Sequence, residues 1–311
     1  MSVRSTGRIL QSVGGVYSVE LEGAVVECSL RGKLKRGGMA AAVGDQVEVE
    51  QLEDGSCRIE AVLPRSSEFS RLAAERRREQ LIAANVDQVA VVVAARAPPP
   101  DFAMLDRLLV LAELNDLPAF IVLNKIDLAA QVSGGGEAPD DSPDESDAIL
   151  KMYESLGYPV VRTCAKSDFG VSDLAELLSG RTTVFAGASG VGKSSLVNAL
   201  LPGLDLRVGK VGERSGRGRH TTVSARLIPL PGGGYLADTP GIQFVGVGGV
   251  GPIDLAHAFP EFRPLLDACR FSNCQHLDEP GCALKEAVER GDLDGRRFDS
   301  YLALAREPQR P

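Results

Sequence analysis

The residues Gly187-Ala188-Ser189-Gly190-Val191-Gly192-Lys193-Ser194 decide how the rest of this chain is read. They follow an apolar run, Thr183-Val184-Phe185-Ala186, and open into Ser195-Leu196-Val197-Asn198-Ala199-Leu200-Leu201, which has the spacing of an amphipathic helix. Strand, glycine loop and helix in that order form a phosphate cradle. The glycines let backbone N–H groups turn inward, and the helix N-terminus adds positive potential where anionic oxygens sit. In this reading Lys193 reaches the β- and γ-phosphates and the Ser194 hydroxyl ligates Mg²⁺, with Ser195 completing the nucleotide-binding stretch. A glycine-rich turn without a ligand would not need the lysine and serine at these spacings. The stretch reads as a nucleotide-binding loop.

Working outward, the 311 residues allow two or three domains, because single cores rarely grow past about 250 residues. Apolar content of 44% and charged content of 24% are those of a globular protein. No apolar run reaches the ~18 residues of a membrane span, and Met1 to Arg8 lacks the apolar core of a signal peptide, so a cytoplasmic protein with no membrane partner is expected. In that compartment the six cysteines are metal ligands or buried thiols sooner than disulfides. The net charge of −8 argues against indiscriminate nucleic-acid binding, yet the signs are segregated. Residues 207–226 carry Arg207, Lys210, Arg214, Arg217, Arg219 and Arg226 against one acid, Glu213, whereas 137–147 is acidic without a base.

Residues 1–68 read as short strands, Val16–Leu21, Ala24–Cys28, Gln46–Glu50 and Arg58–Val62, separated by glycine turns. A small barrel of the oligonucleotide-binding (OB) type is expected, with Arg31, Lys33, Lys35 and Arg36 on a loop suited to phosphate contact or simply to solvent. Beyond residue 80 the texture is βα alternation. Val89–Ala95 is a buried parallel-type strand, a helix runs from Met104 to Leu114, and Pro118–Leu123 is the next strand. At its carboxyl end stands Asn124-Lys125-Ile126-Asp127. The Asp127 carboxylate can accept from the guanine N1–H and exocyclic amine, Asn124 can bridge to a neighbouring loop, and the Lys125 stem can cover the base. Strand ends of this kind are where α/β ligands bind.

Residues 131–147 look like a disordered acidic insertion. A helix from Ala148 and a strand to Arg162 then reach Thr163-Cys164-Ala165-Lys166, whose Cys164, Ala165 and Lys166 are placed at the guanine carbonyl. The glycine-rich, basic 207–226 reads as a mobile loop carrying His220-Thr221-Thr222, with Thr221 (or Thr222 beside it) the candidate to close over Mg²⁺ and the γ-phosphate. Asp238-Thr239-Pro240-Gly241 follows a strand, so that Asp238 holds the Mg²⁺ shell through water and the Gly241 N–H senses the γ-phosphate. The base-reading motif precedes the phosphate loop, which a doubly wound sheet permits if its original termini lie close together. Further on, Cys269-x4-Cys274-x-His276-x5-Cys282 offers three thiolates and one imidazole, a closed tetrahedral shell for one structural Zn²⁺.

Taken together these motifs resemble the circularly permuted small-ribosomal-subunit biogenesis GTPases, the RsgA or YjeQ family. The resemblance rests on the basic-tipped barrel, the guanine motif ahead of the phosphate loop, Gly218-Arg219-His220-Thr221-Thr222, Asp238-Thr239-Pro240-Gly241 and the Cys269/Cys274/His276/Cys282 spacing. It departs from the family at Cys164, where serine is more usual, and in the acidic insertion. It implies a multidomain fold: an OB barrel at 1–68, a circularly permuted α/β P-loop GTPase domain at 69–244 and a small α-helical zinc-binding domain at 245–311. It also implies a cytoplasmic, monomeric GTP hydrolase that takes GTP and GDP with Mg²⁺, binds the small subunit and its rRNA late in maturation, and is stimulated by it.

After Gly241, where many GTPases hold a water-positioning glutamine, stands Ile242, with Gln243 one place off. The catalytic set expected is therefore Lys193, Thr221 and His220, the last either orienting water or meeting RNA phosphate. Two alternatives stand beside this reading. One is a nucleotide-gated rRNA-binding module in which hydrolysis only resets binding. The other is a P-loop kinase, which would prefer ATP.

Overall fold

The computed structural model describes residues 4–32, 34, 41–73, 78–130, 145–203, 225–238, 247 and 250–307. Five strands, β1 (Arg4–Val13), β2 (Val16–Leu21), β3 (Ala24–Leu30), β4 (Gln46–Gln51) and β5 (Cys57–Val62), pair in the closed order β1-β2-β3-β5-β4-β1. All pairings are antiparallel except β3 with β5. This is the five-stranded OB-type barrel expected from the sequence. Its core is Ile9, Tyr17, Val19, Cys28, Leu30, Val47, Val49 and Ile59, the inward-facing positions of all five strands. The long strand β1 was not legible as a strand. A bulge between Ile9 and Gln11 sends Ile9 into the barrel and leaves Leu10 to pack in the neighbouring domain's core, which spoils the alternation.

A hairpin of β6 (Glu68–Ala73) and β7 (Arg78–Ala84), also unforeseen, leads out of the barrel. The second domain contains β8 (Gln88–Ala94), α1 (Phe102–Leu114), β9 (Ala119–Asn124), α2 (Ile126–Ala130), α3 (Glu145–Ser155), β10 (Val160–Arg162), α4 (Val171–Leu178), β11 (Arg181–Ala186), α5 (Lys193–Leu200), β12 (Arg226–Pro229) and β13 (Gly234–Asp238). Its strands lie in the order β10-β9-β8-β11-β13-β12, parallel except for β12. Every residue of β8 is buried. Val89, Val91 and Val93 face the core under α1 and α3, while Ala90, Val92 and Ala94 face the core under α4 and α5. Burial on both faces explains why this strand reads as an unbroken apolar run.

The expected acidic insertion ends sooner than 147, because Glu145–Asp147 form the first residues of α3, while 131–144 lie outside the described residues. The barrel joins this sheet through the Gln11 to Arg226 pairing of β1 with β12. It is also tied by Arg8, whose guanidinium donates to the Thr182 hydroxyl of β11 at 2.9 Å, while Asp45, fully buried, holds the segment leading out of the barrel by accepting from the Arg65 guanidinium at 2.7 and 2.9 Å.

Downstream, α6 (Pro252–His257), a 3₁₀ turn (Arg263–Ala268), α7 (Ala283–Arg290) and α8 (Gly295–Ala305) form a small helical module. Phe259, Phe262, Phe298 and Tyr301 fill its core, with Phe259 and Phe262 stacked at 4.7 Å. The module docks on α1, whose Leu105, Leu108 and Leu109 face the sheet while Val110 enters the module's core. Being covered on both sides, α1 is apolar around most of its circumference. The contact is fastened by Arg297, only 1% exposed, between Asp106 of α1 and Glu261.

Candidate nucleotide site and metal cluster

The parallel strands end on one edge of the sheet. β11 is flanked by β8 and β13, and the connections run outward from it in opposite directions, which makes the β8–β11 crevice the topological switch point where such sheets bind ligands. Gly187 leaves β11 with φ +147, and a Cβ there would lie 2.3 Å from the Val92 carbonyl oxygen. Only glycine lets the loop pass that close to β8. Gly192 precedes α5 with φ +100, and a Cβ on it would lie 2.3 Å from Nδ2 of Asn124.

That second approach is the junction of the two motifs. The Asn124 amide donates to the Val191 carbonyl at 3.0 Å, and its Oδ1 accepts from the buried Thr163 hydroxyl at 3.2 Å. The Lys125 amine donates to the Gly190 carbonyl at 2.6 Å and to the Ala97 carbonyl. Burial, with the charge of Lys166 adding to it, lowers the pKa of Lys125 against the opposing pull of Asp127. Asp127 lies in the first turn of α2, and Lys166 stands 3.9 Å from its carboxylate, so the 163–166 loop and the 124–127 motif meet. Cys164 is buried and its N–H donates to the Phe169 carbonyl at 2.9 Å, closing that loop with Ala165 near its tip. Thr163 was not singled out from sequence, and its only sequence signal was its place beside Cys164.

Lys193 folds over the loop, donating to the Gly187 and Ala188 carbonyls at 2.7 Å each. Its pKa is lowered chiefly by burial, with Asp238 opposing. An anionic phosphate beside it would reverse that penalty. Ser194 and Ser195 occupy the first turn of α5, where backbone N–H groups have no intrahelical acceptor. Asp238 ends β13 and is paired with Arg226 at 3.4 Å. His220, Thr221, Thr222, Gly241, Ile242 and Gln243 lie outside the described residues. So do Lys33, Lys35 and Arg36 of the barrel loop. A cavity of about 410 Å³ flanks the loop between Pro98–Pro100, α1 and Gly187–Ser189. Val191 of the loop lines it as well, but Lys193, Ser194 and Asp127 do not, so it borders the phosphate loop without reaching the start of α5 or the 124–127 motif.

At the other end of α1's partner module, Cys269, Cys274, His276 and Cys282 bring their ligand atoms within 4.8 Å of one another, a set that could hold a metal ion. Nδ1 of His276 faces the thiols of Cys269 and Cys282 at 3.5 Å each. The loop that carries them is drawn into shape by Glu279, whose carboxylate accepts from the N–H groups of Gln275, Leu277 and Asp278. Burial lowers the pKa of His276, which keeps the imidazole neutral and free to ligate. Burial likewise pushes the Cys274 thiol up to about 12, so ionised sulfur here calls for a cation.

A phosphate loop leaving the central strand, locked to a base-reading motif at the end of an earlier strand in the chain, defines a circularly permuted P-loop GTPase fold. The RsgA GTPase family profile matches residues 62–248, and the RsgA N-terminal domain profile matches residues 6–59. The small ribosomal subunit biogenesis GTPase RsgA of Gemmatimonas aurantiaca is 44% identical over 99% of this chain and 98% of its own length. The protein of the same name from Moorella thermoacetica is 42% identical over 97% and 96%. Among solved structures, YjeQ from Thermotoga maritima superposes with a TM-score of 0.77 at 36% identity, covering 98% of each chain. YloQ, described as a circularly permuted GTPase, superposes with a TM-score of 0.74 at 32% identity, covering 98% of this chain and 95% of its own. The chain belongs to the RsgA GTPase family.

Proposed function

We propose that this chain is a GTP hydrolase that binds the small ribosomal subunit, acts late in its maturation and turns over faster when bound to it. The observation that carries the reading is the pair of bonds from Asn124 and Lys125 to the carbonyls of Val191 and Gly190, which couples a guanine-reading carboxylate, Asp127, to a phosphate loop. The relatives' shared name supports the ribosomal role.

Gly187 to Ser195 hold the phosphates, Asn124, Lys125 and Asp127 the base, and Cys164, Ala165 and Lys166 the guanine carbonyl, with Asp238 and Gly241 near the γ-phosphate. Ser194 and Thr221 would hold Mg²⁺, which neutralises charge on the β- and γ-phosphate oxygens when bound. Lys193 contributes a fixed cation at the same oxygens. His220 orients the attacking water, brought into place when the arginines of 207–226 meet rRNA phosphates. The cluster of three thiols and one imidazole suits one structural Zn²⁺, because soft donors in a closed shell of four leave no position for substrate. Functionally the chain divides into an rRNA-binding barrel at 1–68, the GTPase domain at 69–244 and the zinc module at 245–311. It works as a monomer in the cytoplasm.

Single-turnover GTP hydrolysis, with and without purified small subunits, tests this. Subunits should raise the rate of the parent by something on the order of 10²–10³, below the 10³–10⁵ of a supplied arginine. His220→Ala should lose most of that gain while still binding GTP and the subunit. A chain that prefers ATP, or whose rate ignores the subunit it binds, would overturn the proposal.

A further inference from the structure

The barrel holds two cysteines that neither the nucleotide site nor the metal cluster uses. Cys28 of β3 and Cys57 of β5 are direct partners in the parallel β3–β5 register. Both are free thiols, Cys28 buried and Cys57 half-buried. Both side chains belong to the barrel core, because Cys28 is a member of it and Cys57 packs against it. Paired strands run about 4.7–4.9 Å apart, and a disulfide accepts Cα separations of about 4.4–6.8 Å. Register and shared facing therefore put the two sulfurs within bonding reach with little backbone movement.

Their place in the barrel gives the pair a consequence. The β3–β5 ladder is the closing seam and spans only Cys28–Leu30 against Cys57–Ile59. Just beyond it the Arg31 N–H donates to the Ile59 carbonyl at 3.1 Å, and the Arg31 guanidinium pairs with Glu60. The seam thus anchors the root of the basic loop that starts at Arg31.

We infer that Cys28 and Cys57 form an oxidisable pair, which a peroxide-class oxidant converts to an intramolecular disulfide that staples the barrel seam beneath its basic loop. Cys57, the more accessible sulfur and the first residue of β5 after a turn, reacts first. Its thiolate attacks one peroxide oxygen, the O–O bond breaks, and the departing hydroxide takes up the proton the thiol gave off, leaving sulfenic acid and water. The Cys28 sulfur then attacks the Cys57 sulfur, and hydroxide leaves and takes the Cys28 proton to become the second water. Each sulfur gives up one electron, and hydrogen peroxide is reduced to two waters. Cys28 is suited to the second role only, since burial, reinforced by Cys57 beside it, pushes its thiol up to about 12 and keeps it from meeting oxidant first. Reduction by a thiol would begin at Cys57, the more accessible of the two sulfurs.

The experiment uses the full-length, zinc-loaded protein. It is exposed to hydrogen peroxide under native conditions, quenched with an alkylating agent, digested without reduction and read by mass spectrometry, with zinc release followed in parallel. The expected product is a Cys28–Cys57 linked peptide lacking two hydrogens, formed before zinc is released and abolished by dithiothreitol. Cys57→Ser should leave Cys28 a free thiol at the same dose, and Cys28→Ser should drive Cys57 on to sulfinic acid. The proposal is overturned if both residues are recovered as separate alkylated thiols, if Cys57 of the parent over-oxidises without its partner, or if the cluster cysteines cross-link and lose zinc first.

Discussion

The nucleotide site and the cysteine cluster are both built from loops at the ends of regular elements, yet they are completed in different ways. Around the phosphate loop the protein satisfies itself. Asn124, Lys125 and Lys193 all donate to the loop's carbonyls, so the protein's own bonds hold its shape. In the cluster, three sulfurs and Nδ1 of His276 converge within 4.8 Å, and burial resists the ionised thiols that would make the arrangement useful. A preorganised cradle loses little freedom when it binds, whereas a convergent set of donors relies on its ion for folding free energy.

The largest expected effect comes from breaking the cluster. Cys274→Ala should release the metal and unfold the module of α6 to α8, because structural zinc in finger-sized modules supplies roughly 10–16 kcal/mol of apparent binding free energy. GTP affinity should be nearly unchanged. Elemental analysis, limited proteolysis and nucleotide titration on one preparation check this. A metal-free parent, or a mutant module that stays protease-resistant, would show that the cluster does not depend on an ion for its fold.

A smaller but still large effect is expected where the module meets α1. Arg297 is buried between Asp106 and Glu261, and its guanidinium also lies 4.6 Å from the Phe259 ring centre. Arg297→Ala would leave two carboxylates without their partner, at a cost of about 3–5 kcal/mol. Arg297→Met together with Asp106→Asn should recover part of it, since only one carboxylate, that of Glu261, is then left without its cation. Denaturant unfolding with the cluster's metal bound is the measurement, and equal losses in the single and double variants would show that packing, not charge, sets the cost.

The third effect is local. Gly192→Ala adds a Cβ 2.3 Å from the Asn124 amide at φ +100, strain of order 1–3 kcal/mol. The chain should still fold, and GTP affinity should drop by about ten- to a hundredfold. Fluorescent-nucleotide titration reads it directly. Unaltered affinity would mean that the Asn124–Val191 bond does not shape the cradle.

Much of this was legible in the sequence because it is encoded over short distances. The phosphate loop, Asn124-Lys125-Ile126-Asp127 and the cysteine spacing each draw their chemistry from neighbours a few residues apart. The apolar runs of β8 and β11 reveal a buried parallel sheet by composition alone. β1 stayed hidden because its bulge gives Ile9 and Leu10 to different cores, and the β6–β7 hairpin because 71–79 is dominated by charge. Arg297 has the look of a surface residue on an exposed helix, and nothing near it in sequence announces Asp106 or Glu261.

The local sequence therefore determined which groups could hold phosphate, guanine and a soft metal ion, since propensity, turn chemistry and donor type act within one element. Only the tertiary structure decided how those parts are joined: Asn124 onto the phosphate loop, Asp106 onto Arg297, and Cys28 opposite Cys57. These unions span 67, 191 and 29 residues of chain (57 − 28 for the last). Pairings at such range are selected by the closing of a sheet and the sharing of a core, which no single segment encodes.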